Sequence, residues 1–240
     1  MRVAVGNYNI NGGKHFRSVA FKDVSLQDWL LHDQTDLGRN ENILAVMLSV
    51  FSLVMLNNQN KKVDFFAVGF EEMVDLDTKN IVSASGENAR LWSQELLETL
   101  NKEPGQSYSL VTYTQLVGVC LYVFVRSELA PLVRDVMVEQ VKTGLGGATG
   151  NKGTVGVSLT FRQSSLCFLC SHFAAGQSQV ADRNSDYQEA IKRLSFNNVS
   201  CSSEIDFLLV TLRVPGENYS VTRLCVLGRR LQLQDKPREE

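Results

Sequence analysis

Apolar residues along this chain recur with two spacings, every second residue or every third to fourth, and the alternation between them predicts the elements. Arg2 to Ile10 is rich in β-formers and stops at Asn11-Gly12-Gly13, which reads as a strand running into a tight turn. Val63 to Phe70 (VDFFAVGF) is an apolar run of strand length, consistent with a central strand covered on both faces, and Glu71 and Glu72 follow it directly. Between Glu87 and Lys102, Ala89, Trp92, Leu96 and Leu100 predict an amphipathic helix that ends at Pro104-Gly105. From Tyr108 to His172 the pattern predicts strands at about Ser109 to Tyr113, Leu116 to Val125, Val136 to Lys142, Thr154 to Phe161 and Leu166 to Ser171. Their short connections suggest antiparallel pairing. A second helix is predicted from about Gln179 to Leu194.

Two stretches break this rhythm. Ser25 can cap a short helix carrying Leu26, Trp29 and Leu30 on one face, but the 34–62 region then loses order. Within it, Ile43 to Leu56 is uncharged and apolar, yet shorter than the roughly 20 residues a spanning helix needs, so a buried segment is expected rather than a membrane span. Gly144 to Gly153 (GLGGATGNKG) holds five glycines in ten residues between two strands. Strands early, a helix, several meandering strands and another helix fit an α/β fold with helices packed outside a large mixed sheet or pair of sheets.

Composition narrows the class. The 240 residues, 44% hydrophobic and 21% charged, suit one large globular domain. A formal net charge of -2 gives no global attraction to nucleic acid, so any anion site must be local. Cysteines at 120, 167, 170, 201 and 225 are odd in number and scattered, which fits free thiols in a reducing compartment. Cys167 and Cys170 lie three apart in a predicted strand, on opposite faces, which argues against zinc or redox chemistry. The first residues lack the pattern of a secretion signal, and the expected location is cytoplasmic.

Candidate chemistry gathers at strand ends. Asn9 and Asn11 end the first strand, Glu72 ends VDFFAVGF and His172 ends LCFLCS. Strand ends emerge together at one edge of a sheet, so such side chains can converge on one site. Each of them also fits ordinary turn chemistry or a structural role. One carboxylate plus an Asn carbonyl can hold Mg²⁺, because this ion keeps several waters and accepts substrate phosphate as ligand. Neighbouring strand residues point to opposite faces, so Glu71 and Glu72 cannot both reach one site while the strand stays extended, and a single glutamate is expected there. The glycine-rich segment is neither a Walker loop nor a dinucleotide loop, but its backbone N–H groups, with Asn151 and Lys152, suit a phosphate; a flexible hairpin loop is the competing reading. His172 can donate a proton or hydrogen bond to a phosphoryl oxygen, or be a satisfied structural histidine.

Taken together, NYNINGG at 7–13, FFAVGFEEMV at 65–74, QLVGVCLYVFVR at 115–126, VKTGLGGATGNKGTV at 141–155 and SHFAAGQSQV at 171–180 resemble the inositol polyphosphate 5-phosphatase family, in particular its synaptojanin-type domains. The resemblance runs in order from about residue 2 to 196. It implies a four-layer α/β sandwich of mixed β-sheets flanked by helices, the DNase I-like (endonuclease-exonuclease-phosphatase) fold. It also implies Mg²⁺-dependent hydrolysis of the 5-phosphate of phosphoinositides such as the 4,5-bisphosphate. By position, Glu72 matches the family's Mg²⁺ ligand with Asn9 beside it, Asn11 lies near the phosphate, His172 matches the histidine on the scissile phosphate, and Asn151 and Lys152 match its phosphate-side pair. The implied partners are a phosphoinositide head group or soluble inositol polyphosphate, with peripheral membrane contact and no nucleic acid; the sequence leaves protein partners open.

The likeness stops after Phe196. There the family continues into a strand ending Gly-Asp-Phe-Asn, whose Asp and Asn activate and orient water, and later a Pro-x-Trp-Thr-Asp-Arg-Val segment; neither string occurs in 197–240. The positions that grip a neighbouring 4-phosphate are missing too. The chain thus divides into 1–196, the N-terminal part of a catalytic domain with a divergent segment at 34–62, and a tail at 197–240 without family likeness. Asn7-Tyr8 also replaces the usual Thr-Trp before Asn9. Two functions follow, a phosphoinositide 5-phosphatase or a catalytically deficient form that binds inositol phosphates or a protein partner. In the tail, Asp206 is the one faint candidate for a replacement group.

Overall fold

The computed structural model describes residues 1–10, 26–27, 62–73, 86–102, 104–176, 178–196, 199–200 and 207–212. Strand β1 (Val3–Asn9) pairs in parallel with β2 (Phe65–Glu71), and β2 pairs antiparallel with β4 (Val119–Arg126), which pairs with β3 (Tyr108–Leu116). The order of this sheet is β1-β2-β4-β3. A second sheet is built from β5 (Val133–Thr143), β6 (Thr149–Phe161), β7 (Ser164–His172) and β10 (Phe207–Leu212), in the order β10-β7-β6-β5, with β10 parallel to β7. Short strands β8 (Ser195–Phe196) and β9 (Val199–Ser200) pair with each other.

Alternation along the strands explains the layers. In β2, Phe66, Val68 and Phe70 face helix α1 (Gly86–Leu100), while Phe65 and Ala67 face the second sheet. Burial on both sides is why VDFFAVGF reads as an unbroken apolar run. Between the sheets, Val5, Phe65 and Val123 meet Val157, Leu159 and Phe168, with the Phe65 and Phe161 rings edge to face at 5.0 Å. Helix α1 buries Ala89, Trp92, Leu96 and Leu100, each about 1% exposed or less, and the Trp92 ring lies 4.7 Å from that of Phe70. Leu96 and Leu100 each contribute roughly 1.5–3 kcal/mol of transfer free energy. Helix α2 (Val180–Arg193) follows β7, and Leu194 and Phe196 after it pack with Cys167 and Leu169 on the outer face of the second sheet. Helix, sheet, sheet, helix is the expected four-layer sandwich.

Some boundaries differ from the sequence reading. The glycine-rich segment is a loop only in its first half, a turn at Gly144–Gly147 in which Leu145 and Gly146 are left-handed, while Thr149–Gly153 is already strand β6. Asn151 and Lys152 therefore stand on a strand. Glycine suits that strand because the backbones crowd there: Gly153 has φ +151, and a Cβ on it would overlap the Val141 carbonyl and lie 2.7 Å from Leu116. Strand β3 runs past Tyr113 to Leu116, with a register shift between Leu110 and Thr112. The segment beyond Phe196, in which the sequence reading found no family motif, supplies β10 to the second sheet. Of the helix expected after Ser25, only Leu26 and Gln27 are described, and Leu26 is buried against the α1 side of the first sheet. Trp29, Leu30 and the 34–61 stretch lie outside the described residues.

Candidate active site at the strand ends

Strands β1 and β2 are parallel, so they finish at the same edge of their sheet, with Asn9 opposite Glu71 in register. Strand β7 ends at His172 and pairs with the start of β6 through Gly153. Backbone hydrogen bonds join the sheets' loops at this edge: Met73 N donates to Gly118 O at 3.4 Å and Gly118 N to Gly150 O at 3.3 Å. Register thus places Asn9 beside Glu71 in one sheet and His172 beside Gly153 in the other.

Parity decides which side chains meet. Val5 and Asn7, Ala67, Gly69 and Glu71, and Cys170 and His172 all point into the space between the sheets. At its upper edge the apolar inter-sheet core gives way to a polar layer. Glu71 is fully buried there at 0% exposure, with Asn7 at 1% and His172 at 5%. A carboxylate so placed needs partners, and it has them. Asn7 Nδ2 donates to Glu71 Oε1 at 2.7 Å, and His172 Nδ1 lies 2.7 Å from Glu71 Oε2.

Glu72 reaches the same histidine from the other side, its Oε1 3.9 Å from His172 Nε2. This corrects the expectation that only one of the two glutamates could approach the site. The strand stops at Glu71, and Glu72 takes the left-handed conformation with φ +53, so the period-two rule no longer separates them. The two carboxylates differ in availability. Both Glu71 oxygens are engaged inside the protein, whereas the Glu72 side chain is 24% exposed at the mouth of the site.

Lys152 extends from β6 so that its Nζ contacts His172 Nε2. Asn151 is anchored to its own strand, Thr149 Oγ1 donating to its Oδ1 at 2.7 Å, which leaves the Asn151 Nδ2 hydrogens as the outward donors. Asn9 shares the parity of Asn7 and Glu71 and stands one strand away. Asn11 and Asp206 lie outside the described residues. After His172 the chain is held down by α2, with Asp186 Oδ2 accepting from Ala174 N at 2.9 Å and Arg183 donating to Gly176 O at 2.5 Å.

Glu71 and Asn7 were missed as site residues. The signal was present in the parity of β1 and β2, where both fall on positions whose neighbours Val5, Phe65 and Ala67 are core. Among the described residues no three His, Cys, Asp or Glu form a metal cage. A hard cation that keeps its waters needs fewer protein groups than a cage, and the solvent-open carboxylate of Glu72 suits that use.

The fold and this polar edge define a class. The sequence matches the family model "Endonuclease/Exonuclease/phosphatase family 2" over residues 8–224, and the chain belongs to that family. Within it, the likeness is to inositol polyphosphate 5-phosphatase domains of synaptojanins. Human synaptojanin-1 is 50% identical over 196 residues, covering 82% of this chain and 12% of that protein. Inositol-1,4,5-trisphosphate 5-phosphatase 1 of Schizosaccharomyces pombe is 29% identical over 198 residues, 82% of this chain and 15% of the relative. A solved structure of the inositol polyphosphate 5-phosphatase domain of a synaptojanin, in complex with inositol (1,4)-bisphosphate and a calcium ion, superposes with a TM-score of 0.63 at 25% identity. It covers 88% of this chain and 51% of that one. The chain thus spans about an eighth of synaptojanin-1.

Proposed function

We propose that this chain carries the metal- and phosphate-binding part of an inositol polyphosphate 5-phosphatase site, acting on phosphoinositides or soluble inositol polyphosphates with Mg²⁺. The observation that carries the reading is the meeting at one edge of Glu71, Glu72, Lys152 and His172, drawn from both sheets. Glu72 and Asn9 are the residues that would hold Mg²⁺, which when bound adds positive charge against the phosphoryl oxygens. Lys152 brings a cation and Asn151 two N–H donors to the phosphate, both mounted on a strand and so positioned before substrate arrives. His172 Nε2 faces Lys152 and Glu72, where it can exchange a proton or hydrogen bond with a phosphoryl oxygen.

Peripheral contact with a cytoplasmic membrane face belongs to the same proposal. No helix among the described residues is long and apolar enough to cross a membrane. Leu145, in contrast, is 84% exposed at the left-handed tip of the loop that leads into Lys152. An apolar tip beside a phosphate-binding strand suits a lipid whose head group enters the site.

A second reading, binding without turnover, is favoured by β10. This strand runs parallel to β7, and its last residue Leu212 pairs with Ser171 beside His172. Here the family resemblance implies an Asp and an Asn, but the chain continues Leu212-Arg213. The first residue of β10, Phe207, pairs with Leu166, at the opposite end of β7 from His172. Phosphate release from inositol 1,4,5-trisphosphate, with Mg²⁺ and then with chelator, and calorimetric binding of inositol 1,4-bisphosphate separate the readings. Mg²⁺-dependent release that Glu72→Gln abolishes supports the first, and binding weakened by Lys152→Met without release supports the second. Neither release nor binding refutes both.

A further inference from the structure

Glu71 and Asn7 have no part in the metal or phosphate assignments, yet they form the most deeply buried polar contact of the site. We propose that Glu71, itself held by Asn7, is a positioning residue that fixes His172 as the Nδ1–H tautomer and presents Nε2 to the phosphoryl group. The functional weight of this inference rests on the phosphatase reading above.

Two contacts on opposite sides of the ring demand the same tautomer. A carboxylate only accepts, so the ring nitrogen 2.7 Å from Glu71 Oε2 carries the proton. A lysine ammonium only donates, so the nitrogen facing Lys152 Nζ carries the lone pair. Glu71 is fully buried and held by Asn7, whereas the half-buried Lys152 side chain can withdraw from Nε2, so the tautomer follows Glu71. Nε2, which faces Lys152 and Glu72, is then the ring position that can take up a proton from the site.

The carboxylate is fixed in turn. Asn7 Nδ2 holds its other oxygen at 2.7 Å, and the Asn7 carbonyl faces the Cys170 thiol at 3.7 Å. Gly69 leaves room for this arrangement, since a Cβ there would lie 2.6 Å from Cys170 Sγ and 3.0 Å from Asn7 Oδ1. A carboxylate taken wholly out of water costs several kcal/mol unless satisfied. Here one oxygen is satisfied by Asn7 and the other ends on the His172 imidazole.

Nitrogen-15 NMR of histidine-labelled protein tests this, at a pH where His172 is neutral. The chain has three histidines, so His172→Gln assigns the signal. Wild type is expected to show a protonated Nδ1 and an unprotonated Nε2. Glu71→Gln keeps the volume but supplies a single carbonyl, which Asn7 claims, turning the new NH₂ toward Nδ1 and inverting the ring to Nε2–H. The double variant Asn7→Ala/Glu71→Gln frees the carbonyl and restores Nδ1–H.

A wild-type ring protonated on Nε2 overturns the proposal without any variant, so a variant that fails to fold does not shelter it. Glu71→Gln keeping Nδ1–H, or the double variant staying inverted, also overturns it. Where turnover of inositol 1,4,5-trisphosphate is measurable, Glu71→Gln should lower kcat about 100-fold with KM nearly unchanged, and the double variant should recover most of it. Wild-type turnover that Glu71→Gln leaves intact refutes the inference alone. Tautomer inversion in a protein with neither turnover nor binding refutes the phosphatase reading and leaves the positioning claim standing.

Discussion

Replacing Gly153 with alanine tests whether the crowding at the start of β6 holds the site together. Its φ of +151 is a conformation that side-chain-bearing residues rarely adopt, costing about 1–3 kcal/mol. The added Cβ would also overlap the Val141 carbonyl and press on Leu116 Cδ2 at 2.7 Å, so β5 and β6 must separate or Leu116 must move. Overpacking of that kind adds about 1–3 kcal/mol. The sum is about 2–6 kcal/mol, a large part of the roughly 5–15 kcal/mol available to a folded domain. With a urea slope of about 2 kcal/mol/M, the midpoint should fall by about 2 M. Two glycines calibrate the result. Gly146 has φ +65 with nothing within 4 Å of a built Cβ, so Gly146→Ala carries backbone strain alone, about 1 kcal/mol. Gly86 is equally open, has no positive φ and begins α1, so Gly86→Ala should be neutral or stabilising by about 0.5 kcal/mol. Gly153 is also the register partner of His172, so a surviving G153A protein should bind inositol 1,4-bisphosphate more weakly than either control. A G153A midpoint no lower than that of G146A refutes the reasoning.

Other outcomes follow from the same structure. Burial pushes the Cys120 thiol up to about 12 from 9.0 and the Tyr108 hydroxyl up to about 12 from 10.0. Both groups stay protonated in the folded chain while the unfolded chain ionises, so stability should be fully present below about pH 9 and fall as pH rises toward 12, read as a decreasing urea midpoint. Leu145→Asp should weaken co-sedimentation with vesicles containing phosphatidylinositol 4,5-bisphosphate severalfold while leaving binding of soluble inositol 1,4-bisphosphate within twofold; equal losses in both refute the membrane role. Asp64 accepts from Arg2 N at 2.7 Å and from Arg126 at 2.8 Å, tying β1, β2 and β4 at the edge remote from the site. Asp64→Ala should cost about 1–3 kcal/mol by denaturant titration and leave ligand affinity unchanged.

Most of the architecture was legible because each element satisfies its own period. The double-sided burial of β2 shows in VDFFAVGF, and the helical spacing of Ala89, Trp92, Leu96 and Leu100 returns as the buried stripe of α1. Cys167 and Cys170 fall on opposite faces of β7, as their spacing requires. Where reading failed, local backbone departed from the period. A left-handed Glu72 cannot be seen in a string that continues a strand, so the joint approach of Glu71 and Glu72 to His172 was missed. Glycine density at 144–153 suggested a loop throughout, because the close approach of β5 and Leu116 that makes glycine necessary in β6 is a tertiary fact. In tail residues 207–212 the sequence reading found no motif, yet they fall within the family match, and an apolar run of strand length is enough to pair with β7.

That last point separates what the fold requires from what the chemistry requires. A sheet edge accepts any strand with suitable backbone and apolar side chains, since pairing is carried by main-chain hydrogen bonds and burial. A hydrolytic site is less forgiving, because activation of water needs a particular acid at a particular strand end. In this chain the groups proposed to grip a phosphate are mounted on β2, β6 and β7, while the residue that follows β10 in sequence is Arg213. Restoring the family's Asp there isolates the difference. Replacing Arg213 by aspartate, Arg213→Asp, puts a carboxylate directly after Leu212, the partner of Ser171 beside His172. If β10 is a faithful structural substitute, Mg²⁺-dependent release of phosphate should rise at least tenfold over the parent, since a general base contributes about 10²–10⁴ when well placed. An Arg213→Asp protein that binds inositol 1,4-bisphosphate but releases no more phosphate than the parent would mean that β10 completes the sheet without completing the site.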